Sequence, residues 1–212
     1  MRLRRLQLSL LLFCAFAFLA PAQTPIAHPA PVVRLPFGEK LRIPGVPNAG
    51  KIGGILYRGA QPHREGFAHL KELGITTIVD LRAEDPGRTA WERRQAESFG
   101  MQFVNIPVGG WSAPTDEQVA QFFLLLRDHP NQKVFVHCHF GEDRTGVFVA
   151  AYRMAHDQWT VEQAMKEMYV FGFNGFWHPS MKSYVRAFPG RLKTSSALAA
   201  FSASERPELS RK

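Results

Sequence analysis

The stretch Val136-His137-Cys138-His139-Phe140-Gly141-Glu142-Asp143-Arg144-Thr145-Gly146 decides the fold of this chain. It continues an apolar run that begins at Lys133, and that run predicts a strand over 133–137 in the centre of a sheet. A helical pattern from Thr145 to about His156 follows. A strand that passes through a turn into a helix brings the N–H groups of the turn and the helix N terminus to one point. We therefore expect residues 138–146 to form an anion-binding loop.

The side chains of this loop add a nucleophile and a cation to that geometry. Cys138 and Arg144 lie six positions apart, and Gly141 and Gly146 omit Cβ atoms where the backbone must bend or approach a ligand. A free thiol has a pKa of about 8.5, which a helix N terminus and a nearby cation lower. A planar guanidinium matches two oxygens of a phosphoryl group. The pattern favours attack by a Cys138 thiolate on phosphorus, with Arg144 holding the phosphoryl group.

The other loop residues are expected to contact the substrate or to shape the loop. His137 precedes the nucleophile and can hydrogen-bond the loop backbone, although simple burial at the strand end explains it equally well. Thr145 can donate a hydrogen bond to the sulfur. His139 and Phe140 lie at the lip of the loop and are expected to shape substrate access. The predicted substrate contacts are His139, Phe140, Gly141, Glu142, Asp143, Thr145 and Gly146.

The N-terminal residues have the pattern of a secretion signal. Residues 1–5 carry three arginines, residues 6–19 are almost entirely apolar, and Ala20-Pro21-Ala22 fits the small-residue cleavage pattern. We predict a signal peptide over 1–22 and an exported protein, periplasmic or extracellular, with no stable membrane span after cleavage. An uncleaved anchor and a lipoprotein modified at Cys14 are the alternatives. Cleavage leaves Cys138 as the only thiol, so no disulfide framework is expected.

Composition and charge fit one globular domain with a moderate basic excess. The chain has 212 residues, of which 45% are hydrophobic and 21% are charged, and its formal net charge is +8. Three of those positive charges lie in the predicted signal peptide, which leaves +5. The lysines and arginines are scattered and form no aromatic–basic motif, so a nucleic-acid partner is not expected.

Strand and helix patterns alternate through most of the chain. Residues 23–50 are rich in proline and glycine and predict an extended lead-in outside the core, and residues 190–212 predict a disordered tail. Residues 51–189 between them predict one α/β domain, with a central, mainly parallel sheet of about four to five strands flanked by helices. The Cys138 loop lies between the last strand and a helix. The predicted strands are 54–57, 76–81, 102–106 and 133–137, and the predicted helices begin at 65, 89, 115, 145, 160 and 180.

The loop resembles the Cys-x5-Arg signature of the protein tyrosine and dual-specificity phosphatase superfamily, with Cys138 and Arg144 in the signature positions. Tyr57-Arg58-Gly59-Ala60-Gln61-Pro62 and Ile78-Val79-Asp80-Leu81-Arg82 look like the opening of small bacterial members, some of them exported. The resemblance covers roughly residues 54–188. It implies hydrolysis of a phosphorylated protein or a small phosphomonoester through a phosphocysteine. It implies no metal and no organic cofactor, and it leaves the oligomeric state open.

In this superfamily an aspartate on a separate loop protonates the leaving oxygen, and three aspartates compete for that role here. Asp116 is placed first, because it lies 22 residues before Cys138 and follows a Gly-rich loop over 109–114 that could carry it over the substrate. An acid in the first turn of a helix is an equally good interpretation of Asp116. Asp143, inside the phosphate loop, and Asp85, after a predicted strand end, are the second and third candidates.

Other functions stay open at this point. The same loop could hydrolyse inositol phosphates or phosphoinositide head groups, although Glu142 and Asp143 disfavour a polyanionic substrate. The hydroxyl after Arg144 disfavours sulfur transfer of the rhodanese type, and the intact Cys–Arg pair disfavours a silent phosphate-binding module. Five late aromatic residues are expected to pack the last helices against the core rather than to form a substrate wall: Trp159, Phe171, Phe173, Phe176 and Trp177.

Overall fold

The computed structural model describes residues 37–202. The predicted signal peptide (1–22), the first part of the predicted lead-in (23–36) and the end of the predicted tail (203–212) lie outside the described residues. Within residues 37–202, no helix joins the length and the apolarity that a bilayer crossing requires.

A mixed sheet forms the centre of residues 37–202. Its strands are β1 (Glu39–Lys40), β2 (Gly50–Lys51), β3 (Leu56–Ala60), β4 (Ile75–Arg82), β5 (Gln102–Val108) and β6 (Lys133–Cys138). The strand order is β1-β2-β3-β6-β4-β5. The last four in that order run parallel and match the predicted strands, whereas β1 and β2 extend the sheet antiparallel. The predicted α/β fold is confirmed, but this part of the chain holds six strands rather than four to five.

Helices flank this sheet close to where the sequence predicts them. Thr115 and Thr160 each begin a helix through a capping box, accepting a hydrogen bond from the backbone N–H of Gln118 and Gln163 respectively. A threonine that caps in this way satisfies an N–H group that has no partner inside the helix. The helices are α1 (Gly66–Glu72), α2 (Pro86–Ser98), α3 (Asp116–Asp128), α4 (Asp143–His156), α5 (Val161–Val170) and α6 (Pro179–Thr194).

The structure corrects two predicted boundaries. The predicted lead-in supplies β1 and β2, and Val46 and Ala49 between these strands are buried, so this part of it belongs to the core. Residues 190–202 of the predicted disordered tail instead continue α6 to Thr194 and then form a 3-10 helix over Ser196–Phe201, in which Leu198 is fully buried. Both segments lack a periodic apolar pattern. Burial against the rest of the fold, rather than local propensity, orders them.

The sheet places the phosphate loop at its carboxyl edge. Strand β6 lies between β3 and β4, with Cys138 paired opposite Ala60 and His137 opposite Asp80. Because parallel strands end at the same edge of a sheet, the segments that follow β3, β4 and β6 meet there. The loop is therefore surrounded by residues that are distant in the chain.

Alternate residues of β6 anchor the sheet between two apolar clusters. Val134 and Val136 join the larger cluster, which lies mainly under α3 to α6, and Phe135 joins the smaller cluster with side chains of α1 and α2. All three are 0–1% exposed. A strand that is buried on both faces gives the loop after Cys138 a rigid base.

Candidate active site

The loop between β6 and α4 packs directly on the end of β3. Gly141 has a φ of +71°, which favours glycine, and a Cβ at this position would meet the Gly59 carbonyl and the Ala60 nitrogen. The buried Arg58 donates from Nη2 to the Gly141 carbonyl oxygen at 2.6 Å. These contacts hold the turn that leads into the N terminus of α4 at Asp143.

The predicted nucleophile and cation share this loop. Cys138 ends β6 with 2% of its surface exposed, and the charges of Arg58 and Arg144 both interact with its sulfur. Burial lowers the pKa of Arg58 to about 10. This value is still well above neutral pH, so the guanidinium stays charged there. Thr145 is fully buried, and its hydroxyl has no hydrogen-bond partner within residues 37–202. That hydroxyl is free to donate a hydrogen bond, and its donation to the sulfur stays a prediction.

Arg144 is oriented by a carboxylate that sequence reasoning missed. Its Nη1 and Nη2 donate to the Glu84 carboxylate at 2.8 and 2.9 Å, and Nη1 also donates to the Val108 carbonyl oxygen at 3.1 Å. A guanidinium has five N–H donors, and the described part of the chain occupies only these three. The Nε edge therefore offers a two-donor fork for two phosphoryl oxygens. The hydrogen bonds from Arg144 lower the pKa of Glu84 to about 2, which keeps it ionised at neutral pH.

His137 supports the loop through a buried ion pair. Its Nε2 lies 2.7 Å from Glu92 Oε1, and both side chains are fully buried. Gln61 donates to the other Glu92 oxygen at 2.8 Å, and His137 Nδ1 lies 3.2 Å from the Cys138 carbonyl oxygen. Burial opposes a charged imidazole, but the charge and hydrogen bond of Glu92 raise the pKa of His137 to about 9. An imidazolium can donate from both nitrogens, and one of them holds the backbone of the nucleophile.

Two of the three candidate general acids have structural partners. Asp116 accepts hydrogen bonds from Tyr184 Oη at 2.9 Å and from Arg191 Nη1 at 3.2 Å, so α6 holds its carboxylate. Asp85 caps α2, because its Oδ1 accepts the Arg88 N–H at 2.9 Å. These contacts do not favour either carboxyl group as a proton donor. Asp116 as the general acid stays a prediction.

Asp143 has different surroundings at the rim of the loop. Its Oδ2 lies 3.2 Å from His178 Nε2, and the Asn174 N–H donates to its Oδ1 at 3.5 Å. Burial is the strongest influence on this carboxyl group and raises its pKa, although His178, Asn174 and Arg144 act in the opposite direction. A carboxyl group with a raised pKa is the kind that holds a proton for transfer.

The remaining predicted contacts line the loop or lie beneath it. His139 and Phe140 are exposed at the lip, with their rings edge to face at 4.3 Å. Glu142 precedes α4, and burial is the main cause that raises its pKa. Gly146 lies inside α4 against Met168, so its missing side chain serves helix packing. Among residues 37–202, no three or more His, Cys, Asp or Glu side chains are grouped to hold a metal ion.

Four exposed aromatic side chains lie in the loop, against His178, or in the segment that holds Asn174 and His178, the residues that contact Asp143. We call these four, Trp111, Phe140, Phe176 and Trp177, the aromatic rim. They are 72%, 62%, 80% and 61% exposed, more than any other large hydrophobic side chain in the described part of the chain. Trp111 stacks on His178 at 4.9 Å, and this histidine contacts the loop. The predicted packing role is wrong for Phe176 and Trp177, which are exposed. It is confirmed for the three buried residues Trp159, Phe171 and Phe173.

Comparison with known proteins points to one family. A family model described as "DSP-PTPase phosphatase fused to NAD+ Kinase" matches residues 48–183, more than half of the chain. The chain is also 27% identical over 126 residues to the dual specificity protein phosphatase TpbA of Pseudomonas aeruginosa (strain UCBPP-PA14), covering 59% of this chain and 55% of that protein. The chain therefore spans about half the length of this relative.

Solved structures share the fold. The crystal structure of TpbA from P. aeruginosa has a TM-score of 0.63 at 23% identity and covers 81% of this chain and 98% of that one. A TpbA variant in complex with pTyr has a TM-score of 0.62 at the same identity and covers 79% of this chain and 98% of that one. A third structure is the catalytic core of the PP-IP phosphatase Siw14 from S. cerevisiae in complex with citrate. Its TM-score is 0.57 at 19% identity, and it covers 73% of this chain and 93% of that one.

Proposed function

We propose, because the chain belongs to the DSP-PTPase phosphatase family, that it hydrolyses phosphate monoesters with Cys138 as the nucleophile. The observation that carries this proposal is the arrangement of Arg144 next to the buried sulfur. Glu84 and Val108 take three N–H groups of the guanidinium and leave its Nε edge free for the phosphoryl group. A guanidinium held in this way does not need to reorganise when the transition state forms.

The reaction takes place in two steps on the loop. The Cys138 sulfur attacks phosphorus, the bond to the leaving oxygen breaks, and a phosphocysteine forms. Water then attacks phosphorus, and the electron pair of the S–P bond returns to sulfur. Backbone N–H groups at the start of α4 and the Nε edge of Arg144 stabilise the equatorial oxygens in both steps. The free hydroxyl of Thr145 supports the returning thiolate.

The aromatic rim supports phosphotyrosine in proteins as the preferred substrate. Exposed apolar surface that is concentrated at one place marks a binding site. Aromatic rings also attract one another beyond the area that they bury, by about 0.5–1.5 kcal/mol per pair. A tyrosine ring that carries the bound phosphate would meet these rings, whereas a serine or threonine ester would not. The crystal structure of a TpbA variant with pTyr is consistent with this preference.

Hydrolysis of inositol phosphates or phosphoinositide head groups is the second candidate. Its support is the fold shared with Siw14, which is described as a PP-IP phosphatase. The charges near the loop argue against it, because Glu84, Glu142 and Asp143 are acidic and Arg58 is fully buried under the turn. A polyanionic substrate needs several exposed cations beside the one that binds the reacting phosphate.

We further propose that the protein acts outside the cytoplasm. This proposal depends on the signal-peptide pattern of residues 1–22 and on nothing in the described fold. N-terminal sequencing of the protein recovered from its native cell envelope tests it, with a first residue at position 23 as the expected result.

The enzymatic proposal is tested with a phosphotyrosine peptide, a phosphoserine peptide and an inositol polyphosphate as substrates. We expect wild type to prefer the first, and Cys138→Ser to lose all turnover while still binding phosphotyrosine peptide. Arg144→Lys should lose about 10²-fold or more of kcat/KM, because a lysine cannot form the fork. Arg127→Lys, in an exposed ion pair, serves as the matched control. Turnover by Cys138→Ser equal to that of wild type would overturn the proposal.

A further inference from the structure

The leaving oxygen needs a proton donor at the rim of the loop. It departs in line with and opposite the attacking sulfur, so the donor must reach over the bound phosphoryl group. Asp116 is held by α6, and Asp85 caps α2. Asp143 lies within the loop segment itself and is directed toward a single side chain, His178.

We propose that Asp143 is the general acid of this phosphatase and that His178 is its positioning residue. The inference rests on the proposed phosphatase function and adds two roles to it. Asp143 is the first residue of α4, and Arg144, whose guanidinium binds the phosphoryl group, is the second. Both residues therefore share one rigid turn of helix. His178 reaches this turn from the residue before α6 and lies 3.2 Å from Asp143 Oδ2.

The packing of His178 determines which nitrogen can hold the carboxyl group. Its side chain is only 12% exposed, and its ring stacks on Trp111 at 4.9 Å. Its Nδ1 is buried and has no hydrogen-bond partner among residues 37–202. A buried N–H without a partner costs more than a buried lone pair, so the neutral ring carries its proton on Nε2. Nε2 then donates to Asp143 Oδ2 and fixes the orientation of the carboxyl group.

The same geometry leaves the other carboxyl oxygen for catalysis. Oδ1 has only the long 3.5 Å contact from the Asn174 N–H. The titratable and charged groups around this carboxyl group are His178 at the start of α6, Arg144 in α4 and Glu142 in the loop. Burial is the largest influence on this carboxyl group and raises the pKa of Asp143. Oδ1 can therefore hold a proton until the ester bond breaks.

The proton and electron transfers balance over the two steps. In the first, the Sγ–P bond forms, the P–O bond of the ester breaks, and its electron pair on the leaving oxygen takes the proton from Asp143. In the second, the Asp143 carboxylate takes a proton from water as the water oxygen bonds to phosphorus. The S–P bond then breaks, its electron pair returns to sulfur, and Asp143 is again protonated.

Two esters that differ in leaving group test the assignment. Phenyl phosphate releases a strong base, close to tyrosine with its pKa of about 10, and p-nitrophenyl phosphate releases a much weaker one. Asp143→Asn should lose about 10²- to 10⁴-fold of kcat on phenyl phosphate but less than about tenfold on p-nitrophenyl phosphate. Its kcat–pH profile should also lose the alkaline limb, which requires a protonated acid. Asp128→Asn, an exposed carboxyl group paired with Arg127, is the control.

The role of His178 has its own test. His178→Ala should show the same selective loss on phenyl phosphate, to a smaller degree, and His178→Gln should recover much of it because the amide keeps an N–H donor. These two variants also decide the question if thermal unfolding shows that Asp143→Asn does not fold. Equal losses on both esters would overturn the positioning role.

Two further outcomes separate this inference from the proposed function. A selective loss on phenyl phosphate in Asp116→Asn, with none in Asp143→Asn, would overturn the acid assignment and leave the phosphatase intact. Wild-type turnover of both esters by Cys138→Ser would instead remove the phosphatase proposal, and the acid assignment with it.

Discussion

The Glu92 carboxylate lies 2.7 Å from His137 Nε2, and neither side chain has any exposed surface. The pair joins α2 to the strand that carries the nucleophile, at the point where His137 Nδ1 also reaches the Cys138 carbonyl oxygen. Removing one partner of a buried ion pair leaves an uncompensated charge, at a cost of about 3–5 kcal/mol. We expect Glu92→Gln to lower the free energy of unfolding by about this amount near pH 6. Glu97→Gln, an exposed carboxylate on the same helix, is the control.

The contribution of this pair to stability depends on pH in a defined direction. The folded pKa of His137 is raised to about 9, so its contribution is complete below its ordinary value of 6.5 and is lost as the pH rises through 9. The charge and hydrogen bond of His137 outweigh burial and lower the pKa of Glu92, so its contribution is present above 4.5 and is lost as the pH falls further. Denaturant unfolding should show the largest difference between wild type and Glu92→Gln between these limits. A difference that stays constant up to about pH 9.5 would contradict the charged pair.

Glu84 should affect catalysis by orienting Arg144. Without its carboxylate the guanidinium loses a bidentate partner and gains freedom to rotate away from the phosphoryl group. We expect Glu84→Gln to lower kcat about tenfold, in line with the strength of charge-assisted hydrogen bonds. KM should stay the same or fall, because a negative charge leaves the site. Steady-state kinetics on p-nitrophenyl phosphate measure both constants, and a higher kcat in the variant would show that Glu84 competes with the substrate instead.

Gly141 in the loop and Gly146 in the first turn of α4 should respond differently to alanine. At Gly141 the φ of +71° and the contact with the Gly59 carbonyl both oppose a side chain, so Gly141→Ala should destabilise the fold by more than about 2 kcal/mol. At Gly146 a Cβ would lie 3.3 Å from Met168 Cε, the end of a flexible side chain. The free energy of unfolding of Gly146→Ala should therefore lie within about 1 kcal/mol of the wild-type value. Thermal unfolding compares the two, and similar losses would show that the turn is not strained.

The aromatic rim should determine affinity for aryl substrates. Trp111→Ala and Trp177→Ala should each raise KM for a phosphotyrosine peptide about two- to tenfold, the size of one aromatic contact, and leave KM for a phosphoserine peptide unchanged. Phe99→Ala removes a large apolar side chain that is 36% exposed and lies outside the rim, and it serves as the control. Parallel increases for both peptides would assign the rim a role in protein docking rather than in ring recognition.

Most element types followed from local patterns. The β-branched run at β4 and the threonine caps at Thr115 and Thr160 depend on residues within a few positions of each other, and the structure confirms these elements. The predictions that needed correction concern segments without a pattern of their own. Strands β1 and β2 and the 3-10 helix with Leu198 are ordered by the surface on which they pack, and no local signal reports that surface.

The partners of the loop had weaker signals. Glu84 follows β4 at the edge where the loop lies, but in the sequence it is equivalent to its neighbour Asp85, which caps a helix. Glu92 lies in a charged helix, where an acid normally faces solvent. His178 belongs to a stretch with exposed aromatic residues for which the sequence predicted burial.

By itself the sequence determined the chemistry of the loop, because its thiol, its guanidinium and two glycines lie within nine residues. It also determined the α/β class, because strand and helix periods are short-range properties. Only the tertiary structure decided which carboxylates those groups meet. Arg144 and Glu84 are 60 positions apart and pair because β6 lies beside β4 in the sheet. The order of the strands decides which oppositely charged residue lies beside a charged side chain and stabilises it. That order depends on long-range burial rather than on spacing along the chain.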